Sequence, residues 1–366
     1  MTRSYTLFGL PLSLYSGKAR SYLTHKAIPF VEQGPSAWTL LARIPRRTGA
    51  MVVPVLVSPH GEWIQDTSVI IDRLERDFPR QAVVPPTPRL GFAAYLFEIW
   101  GDEFWLPIAM HTRWSHPENY PRFRDELGAC LLPGLPRFAR NAVSAHFAGK
   151  MRAHTGRLGI DPEGVPLLDR WMKEHLDGLD AHFAQQRFLL GTRPSLADYG
   201  LYAPLYAHVA LDPWSGRTQI EPRKSLGAWL ERMTARLAAP GDWNADDRVP
   251  DTLNPALRSI CEEMLPYYQA TLAELRAAAQ TSSGGRIGRF LGEVDYPYAG
   301  GTHRRRAIPY GLWMIQRMLD WYAQRAAAEQ AAIRDWLREI GGQGWLELDI
   351  PRLRRSGLGV ALAAKP

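Results

Sequence analysis

The stretch LSLYSGKAR, residues Leu12–Arg20, decides the fold of the first part of the chain. It follows the apolar run Tyr5–Phe8, which predicts a strand, and it leads into a helical pattern that continues to Ala27. The N-terminus of a helix has unpaired N–H groups and the positive end of the helix dipole, and both favour an anion such as a thiolate. Three hydroxyl-bearing residues compete for a role here, namely Ser13, Tyr15 and Ser16. We take Ser13 as the leading candidate.

Strands and helices alternate through the rest of the first ~84 residues, and this alternation is typical of an α/β domain. The predicted elements after the first helix are a strand opening at Ile28, a strand over Val52–Val57, a strand over Glu62–Ile64 and a closing helix over Thr67–Arg76. Pro-rich residues 84–88 then predict a rigid linker. The first domain is therefore expected to span residues 1–84.

Pro54 is unusual because it lies in an apolar stretch that otherwise reads as a strand. Proline cannot donate to a sheet ladder, so it belongs at the beginning or edge of a strand. In one interpretation Pro54 simply starts the strand. In the other, Val53–Pro54 is a cis peptide bond that turns the N–H and C=O of Val53 outward, where an extended peptide-like ligand pairs with them.

The segment Gln65–Ser68 precedes the closing helix, and Asp66 or Thr67 is a natural N-cap for it. Capping alone explains both residues. The same carboxylate and hydroxyl also suit a ligand that carries an ammonium and a carboxylate. Asp66 would bind the ammonium, and Thr67 with the helix N-terminus would bind the carboxylate.

These motifs, in this order, resemble the thioredoxin-like domain of glutathione S-transferases. The resemblance implies that the loop hydroxyl activates glutathione, that Val53 before a cis Pro54 pairs with the cysteinyl backbone, and that Asp66–Thr67 hold the γ-glutamyl group, with Gln65 beside them. Leu14 stands where many relatives have proline, and Asp-Thr replaces the commoner Glu-Ser. Arginines in the loop before Val53 are candidates for the glycyl carboxylate, with Arg46 or Arg47 named first and Arg43 an equal alternative.

Residues 85–240 read as all-helical. An aromatic stretch in this region supplies four candidates for an apolar substrate pocket, namely Trp100, Met110, His111 and Trp114, although most of such a stripe is ordinarily core. Ser195 and Asp198 form an S-x-x-D capping box, which looks like the signature of the helical domain of glutathione S-transferases. Its expected role is structural.

Residues 241–366 extend beyond the resemblance, which covers roughly residues 4–240. We expect a helical extension here that adds a layer to the helical domain. The expected fold is thus an α/β thioredoxin-like N-terminal domain, an all-α C-terminal domain and an extra helical C-terminal extension.

Composition excludes several classes. The chain has 366 residues, a net charge of +7 and two cysteines far apart, Cys130 and Cys261, which argues against a disulfide scaffold and a cysteine metal site. No H-E-x-x-H occurs, and no metal is expected. The basic residues are mostly scattered, which favours a small anion over nucleic acid. No apolar run of spanning length or signal segment occurs, so no membrane role and a cytoplasmic location are expected.

The sequence therefore predicts a glutathione-dependent transferase or lyase that uses glutathione as cosubstrate against a small hydrophobic electrophile. The resemblance implies a homodimer and a role in detoxification. The alternative is a glutathione-transferase-like binding or scaffold protein without turnover, as in metaxin-like relatives. Conjugation, ether cleavage and dehalogenation remain open as reactions.

Overall fold

The computed structural model describes residues 4–237, 241–281 and 285–363. Its strands are β1 (Tyr5–Phe8), β2 (Phe30–Gln33), β3 (Val55–Val57), β4 (Trp63–Gln65), β5 (Glu293–Tyr298), β6 (Gly301–Arg306), β7 (Leu353–Ser356) and β8 (Gly359–Leu362). Its helices in the first half are α1 (Leu14–His25), α2 (Ile44–Thr48), α3 (Thr67–Asp77), α4 (Pro88–Ile99), α5 (Leu106–Ser115), α6 (Tyr120–Leu131) and α7 (Arg137–Arg152). The later helices are α8 (Val165–Phe183), α9 (Leu196–Pro204), α10 (Pro213–Ser215), α11 (Lys224–Thr234), α12 (Asn254–Ser259), α13 (Leu265–Thr281), α14 (Tyr310–Ala323) and α15 (Ala327–Glu339).

The chain forms two compact units that interleave along the sequence. The described part of unit 1 comprises residues 4–83, 108–155 and 199–237, and that of unit 2 comprises residues 84–107, 156–198, 241–281 and 285–363. Unit 1 contains the predicted thioredoxin-like domain together with helices from later in the chain. Residues 241–281 and 285–363 belong to unit 2, together with segments from before residue 199.

The sheet of unit 1 has the strand order β2-β1-β3-β4. β1 is parallel to β2 and antiparallel to β3, and β3 is antiparallel to β4. The register pairs Phe8 with Val55 and Val55 with Gln65. The end of β1, the start of β3 and the end of β4 therefore lie side by side at one edge of the sheet. The segments that contain Ser13, Val53–Pro54 and Asp66–Thr67 adjoin these three strand ends.

Helices α1 and α3 contribute apolar side chains to the core of unit 1. Tyr22 and Leu23 of α1 and Ile70 and Leu74 of α3 have no exposed surface. The three-to-four residue spacing of the apolar positions on α3 explains why this helix forms an amphipathic face. Burial of side chains of this size stabilises the unit by about 1.5–3 kcal/mol each.

Unit 2 is built around α4, in which every residue from Leu90 to Ile99 is buried. Phe92 of this helix makes edge-to-face contacts with Tyr322 and Trp336, which come from α14 and α15. Residues from the C-terminal third of the chain thus pack directly on the central helix. They are part of the core of unit 2.

The C-terminal region is not wholly helical, which differs from the sequence-based expectation. Two hairpins, β5–β6 and β7–β8, lie among its helices. Burial alternates strictly along β5, with Val294, Tyr296 and Tyr298 inward. Ala299 and Gly300, between β5 and β6, both have positive φ angles, as a two-residue type I′ turn requires. The extension is therefore a mixed helix and hairpin region.

No helix among the described residues is both long enough and apolar enough to cross a lipid bilayer.

Three buried histidines make the stability of unit 2 depend on pH. Burial lowers the pKa of His175, His182 and His303 from the usual 6.5 to about 4. The folded chain then binds fewer protons than the unfolded chain between pH 6.5 and pH 4, so the free energy of unfolding falls as the pH falls through this window. We expect the melting temperature to decrease progressively from pH 6.5 to pH 4.

A variant separates this effect from the titration of carboxylates. His303→Gln should weaken the pH dependence of melting in this window, because one of the three imidazoles no longer takes up a proton on unfolding. His146→Gln, which changes an exposed imidazole, is the control. Equal slopes for His303→Gln and the parent protein would contradict the assignment.

Candidate functional site

Ser13 is the N-cap of α1 and is half-buried. Its extended backbone (φ −88°, ψ 123°) places the side chain so that Ser13 Oγ accepts a hydrogen bond from the Ser16 N–H at 3.3 Å. A serine hydroxyl that accepts one bond still has its own hydrogen to donate. No described residue accepts that hydrogen. Ser13 is thus able to donate to an anion at the helix N-terminus.

Ser16 and Tyr15 have different surroundings. Ser16 is fully buried, and its Oγ accepts a hydrogen bond from the Leu10 N–H at 3.2 Å. This contact ties Ser16 to the loop backbone. Tyr15 is half-buried in the first turn of α1. Ser13 is the hydroxyl that caps the N-terminus of α1, and the choice among the three hydroxyl groups stays a prediction.

The Val53–Pro54 peptide bond is cis, as the second interpretation of Pro54 requires, and the pairing of Val53 with a ligand stays a prediction. Val53 is half-buried and immediately precedes Pro54, which is buried. The backbone N–H and C=O of Val53 make no hydrogen bond to another described residue. This pair of main-chain groups is therefore available to an extended ligand at the edge of the sheet.

Asp66 is the N-cap of α3, and its Oδ1 accepts hydrogen bonds from the N–H groups of Ser68 (3.0 Å) and Val69 (3.2 Å). Its φ angle is +90°, a strained conformation for a residue other than glycine, and such strain concentrates at ligand sites. Thr67 is the first helical residue, and neither its N–H nor its hydroxyl is hydrogen-bonded to another described residue. Capping by Asp66 thus leaves the Thr67 groups for a carboxylate. Gln65 ends β4, directly before Asp66.

The arginines proposed for the glycyl carboxylate all have exposed side chains. Arg46 and Arg47 lie on α2, and the Arg46 guanidinium lies over the ring of Trp38 at 5.7 Å. Arg43 precedes α2 and lies over the ring of Trp63 on β4 at 5.1 Å. These contacts place Arg43 beside the sheet, and the choice among the three arginines stays a prediction.

The four candidates for the substrate pocket are divided between the two units, and their role in a pocket stays a prediction. Trp100 belongs to unit 2, has no exposed surface and packs edge-to-face on Trp105. The other three belong to unit 1. Met110 is half-exposed and packs against the core cluster that contains Trp114. His111 is buried, with its Nδ1 at 2.9 Å from Ser115 Oγ.

Two buried basic residues near the loop that carries Ser13 were not among the site residues predicted from the sequence. Lys18 of α1 is fully buried, and its Nζ lies 3.5 Å from Ser68 Oγ. Arg113 of α5 is also buried and donates from Nη1 to the carbonyl of Leu12 at 2.8 Å. The only sequence signal for Arg113 is a charged residue within an apolar helical stripe, and that signal does not reveal the partner.

Comparison with known protein families matches two domain models. The model described as "Glutathione S-transferase, N-terminal domain" matches residues 7–82, and the one described as "Glutathione S-transferase, C-terminal domain" matches residues 172–232. Both matched segments belong to domain types of the glutathione S-transferase superfamily, and they support the membership that the sequence predicts. The fold of a thioredoxin-like domain followed by mainly helical structure agrees with this membership.

Solved structures of glutathione S-transferases and related proteins are similar to this chain at low identity. A glutathione S-transferase-like protein from Pseudomonas syringae is 15% identical, with 85% of this chain and 98% of that chain covered and a TM-score of 0.42. A glutathione S-transferase from Rhodospirillum rubrum F11 is 17% identical, with 68% and 96% covered and a TM-score of 0.41. The beta-etherase LigF from Sphingobium sp. strain SYK-6 is 18% identical, with 64% and 96% covered and a TM-score of 0.41. No curated protein matches the chain.

Groups of three or more histidine, cysteine or acidic side chains that could hold a metal ion do not occur in the described parts of the chain.

Proposed function

We propose that this protein is a glutathione-dependent transferase or lyase that activates the glutathione thiol for attack on a small hydrophobic electrophile. One observation carries the proposal. The loop with Ser13 leaves β1, Val53–Pro54 enters β3 and Asp66–Thr67 leaves β4, and the strand register brings these three points to the same edge of the sheet.

Ser13 is the group that acts on sulfur in this proposal. Bound glutathione supplies the nucleophile, its thiolate. Ser13 donates its hydroxyl hydrogen to that sulfur, and the N-terminus of α1 adds its positive dipole end, so that the charged form is favoured over the thiol. The protein forms no covalent bond itself, because the loop contains no cysteine.

The other groups hold the peptide. The backbone N–H and C=O of Val53 pair with the cysteinyl unit of glutathione, because no described residue uses them. The N–H and hydroxyl of Thr67 bind the γ-glutamyl carboxylate, and Asp66 with Gln65 lies beside its ammonium. One of Arg43, Arg46 and Arg47 binds the glycyl carboxylate.

An apolar surface for the electrophile is available within unit 1. Leu10 and Met110 are half-exposed and pack against the same core cluster as Leu12, the residue before Ser13. These side chains suit a hydrophobic substrate near the activated sulfur. Family membership suggests that the enzyme is a cytoplasmic homodimer with a role in detoxification, and we include these features in the proposal.

Thr67→Val is expected to weaken glutathione binding about 10-fold or more, because a hydrogen bond to a charged group contributes about 1.5–3 kcal/mol. Valine keeps the shape of threonine and removes only the hydroxyl. Calorimetric titration with reduced glutathione measures the effect. Thr24→Val is the matched control, because the Thr24 hydroxyl donates to the Arg20 carbonyl within α1. Failure of the parent protein to bind glutathione would contradict the proposed function.

Measurement of turnover distinguishes an enzyme from a binding or scaffold protein. A scaffold with a retained site would bind glutathione without forming thiolate and without consuming an electrophile. We therefore expect thiolate absorbance from the bound peptide, and conjugation of a nitro-activated aryl chloride or cleavage of an aryl ether. Binding without either signal would assign the chain to the scaffold class.

A further inference from the structure

A buried ion pair in unit 1 contacts the backbone of the loop that carries Ser13. Arg113 and Asp212 are 1% and 0% exposed. Arg113 Nε donates to Asp212 Oδ2 at 2.8 Å and Nη2 donates to Asp212 Oδ1 at 3.1 Å, which makes the pair bidentate. Nη1 donates to the Leu12 carbonyl at 2.8 Å, and Nη2 also donates to the Ala207 carbonyl at 2.6 Å.

Stability alone does not account for such a pair. Burial lowers the pKa of Arg113 and raises the pKa of Asp212, because both charged forms lose their hydration. Apolar residues of similar volume often stabilise a core as well as a buried ion pair does, or better. A fixed, bidentate guanidinium is instead a precise way to hold a carbonyl oxygen in one place.

The carbonyl that Arg113 holds belongs to the residue immediately before Ser13. The loop is otherwise held by the Ser13 N–H, which donates to the Leu10 carbonyl at 3.1 Å, and by the Ser16 contacts described above. A second guanidinium, that of Arg20, reaches the Leu10 carbonyl at 3.5 Å while it is paired with Glu32. Arg113 makes the shorter of the two carbonyl contacts and is the more buried arginine.

We propose that Arg113, held by Asp212, is a positioning residue that fixes the Leu12–Ser13 peptide and so aims the Ser13 hydroxyl at the glutathione sulfur. The inference rests on the proposed function for its last step. The fixing of the loop by Arg113 does not depend on glutathione, because Arg113 contacts the Leu12 carbonyl within the protein itself. Arg113 touches no reacting atom in this scheme, and its effect passes through the loop.

Arg113→Lys tests the positioning role. Lysine keeps a positive charge for Asp212 but is a point charge that cannot reproduce the planar contacts with Asp212, Leu12 and Ala207 together. In the protein without glutathione, we expect the rate of amide hydrogen exchange of residues 10–17 to rise roughly tenfold. This is the effect expected when one charge-assisted hydrogen bond to the loop is lost. With saturating glutathione, we expect the pKa of the bound thiol to rise and kcat to fall more than KM changes.

Two further variants separate positioning from general damage. Arg317→Lys is the matched control, because Arg317 forms a largely buried pair with Glu98 in unit 2 and should leave exchange at residues 10–17 unchanged. The double variant Arg113→Met/Asp212→Leu removes both charges, and leaves no buried ion without its partner. It should fold, and it should show the same loop exchange and thiol titration as Arg113→Lys.

The outcomes are distinct. Unchanged exchange at residues 10–17, or exchange that rises equally throughout unit 1, overturns the inference. Faster loop exchange with an unaltered bound-thiol pKa also overturns it, as would failure of both variants to fold, since the pair would then serve stability. If the parent protein does not bind glutathione, the proposed function fails, and the exchange measurement still decides whether Arg113 holds the loop.

Discussion

Asp198→Ala is expected to lower the free energy of unfolding of unit 2 by about 3–4 kcal/mol. Asp198 is fully buried. Its Oδ2 accepts from the N–H of Ser195 at 2.8 Å and from Ser195 Oγ at 2.7 Å, and its Oδ1 accepts from the Leu189 N–H at 2.9 Å. Alanine leaves two buried N–H groups without an acceptor. Thermal melting should show a decrease of roughly 10 °C.

Controls for this prediction separate capping from charge and from ligand binding. Asp177→Ala removes an exposed carboxylate that pairs with Lys173 on the same helix and should change stability by less than about 0.5 kcal/mol. Asp198→Asn keeps one oxygen acceptor, so its loss of stability should lie between those of Asp177→Ala and Asp198→Ala. Glutathione affinity should stay within about threefold of the parent protein, because neither Ser195 nor Leu189 is a candidate glutathione contact. An unchanged melting temperature in Asp198→Ala would show that the buried capping contacts contribute nothing.

Features that depend on residues close together in the sequence could be predicted from it. The strand Tyr5–Phe8 has the predicted bounds, and the Asp198 carboxylate accepts from the Ser195 N–H as a capping box requires. The cis bond at Val53–Pro54 is one of the two interpretations that the sequence left open. Each of these features is determined by a few adjacent side chains. Local patterns of this kind therefore predicted the first strand and the contact between Asp198 and Ser195 correctly.

The hairpin β5–β6 was missed although its sequence contains a signal. Val294, Tyr296 and Tyr298 alternate with polar or proline positions, which is the period of a half-buried strand. The turn is Ala299-Gly300 rather than the Asn-Gly or Asp-Gly that marks most two-residue hairpins. Long helical patterns on both sides of the hairpin favoured a helical interpretation of the whole region.

The contact between Arg113 and Leu12 could not be predicted from the sequence. Arg113 is separated from Leu12 and from Asp212 by about a hundred residues in each direction, so no periodicity or spacing links them. The meeting of the Ser13 loop, Val53 and Thr67 at one edge likewise required the strand register. The sequence could propose candidate groups for the site, whereas their convergence depends on long-range strand pairing.

Ser13→Ala is expected to lower kcat/KM for glutathione-dependent turnover by about 10²–10³-fold, the usual effect of removing one donor to a developing or stabilised anion. The pKa of the bound thiol should rise by about 1–2 units, because about 1.4 kcal/mol of differential stabilisation corresponds to one unit. Ultraviolet absorbance of the thiolate as a function of pH measures this shift directly. Affinity for glutathione should change little, since the peptide contacts with Val53 and Thr67 remain.

Ser13 also caps α1, and the two roles must be separated. Replacement of an N-cap serine by alanine costs about 1 kcal/mol of stability, whereas replacement by glycine costs only a few tenths. Ser13→Gly should therefore melt close to the parent protein and still show the raised thiol pKa. Tyr15→Phe removes the competing hydroxyl of the same loop and should leave thiolate formation intact. If Tyr15→Phe abolishes the thiolate and Ser13→Gly does not, the sulfur-activating group is Tyr15, and the geometry of the Ser13 hydroxyl serves only to cap the helix.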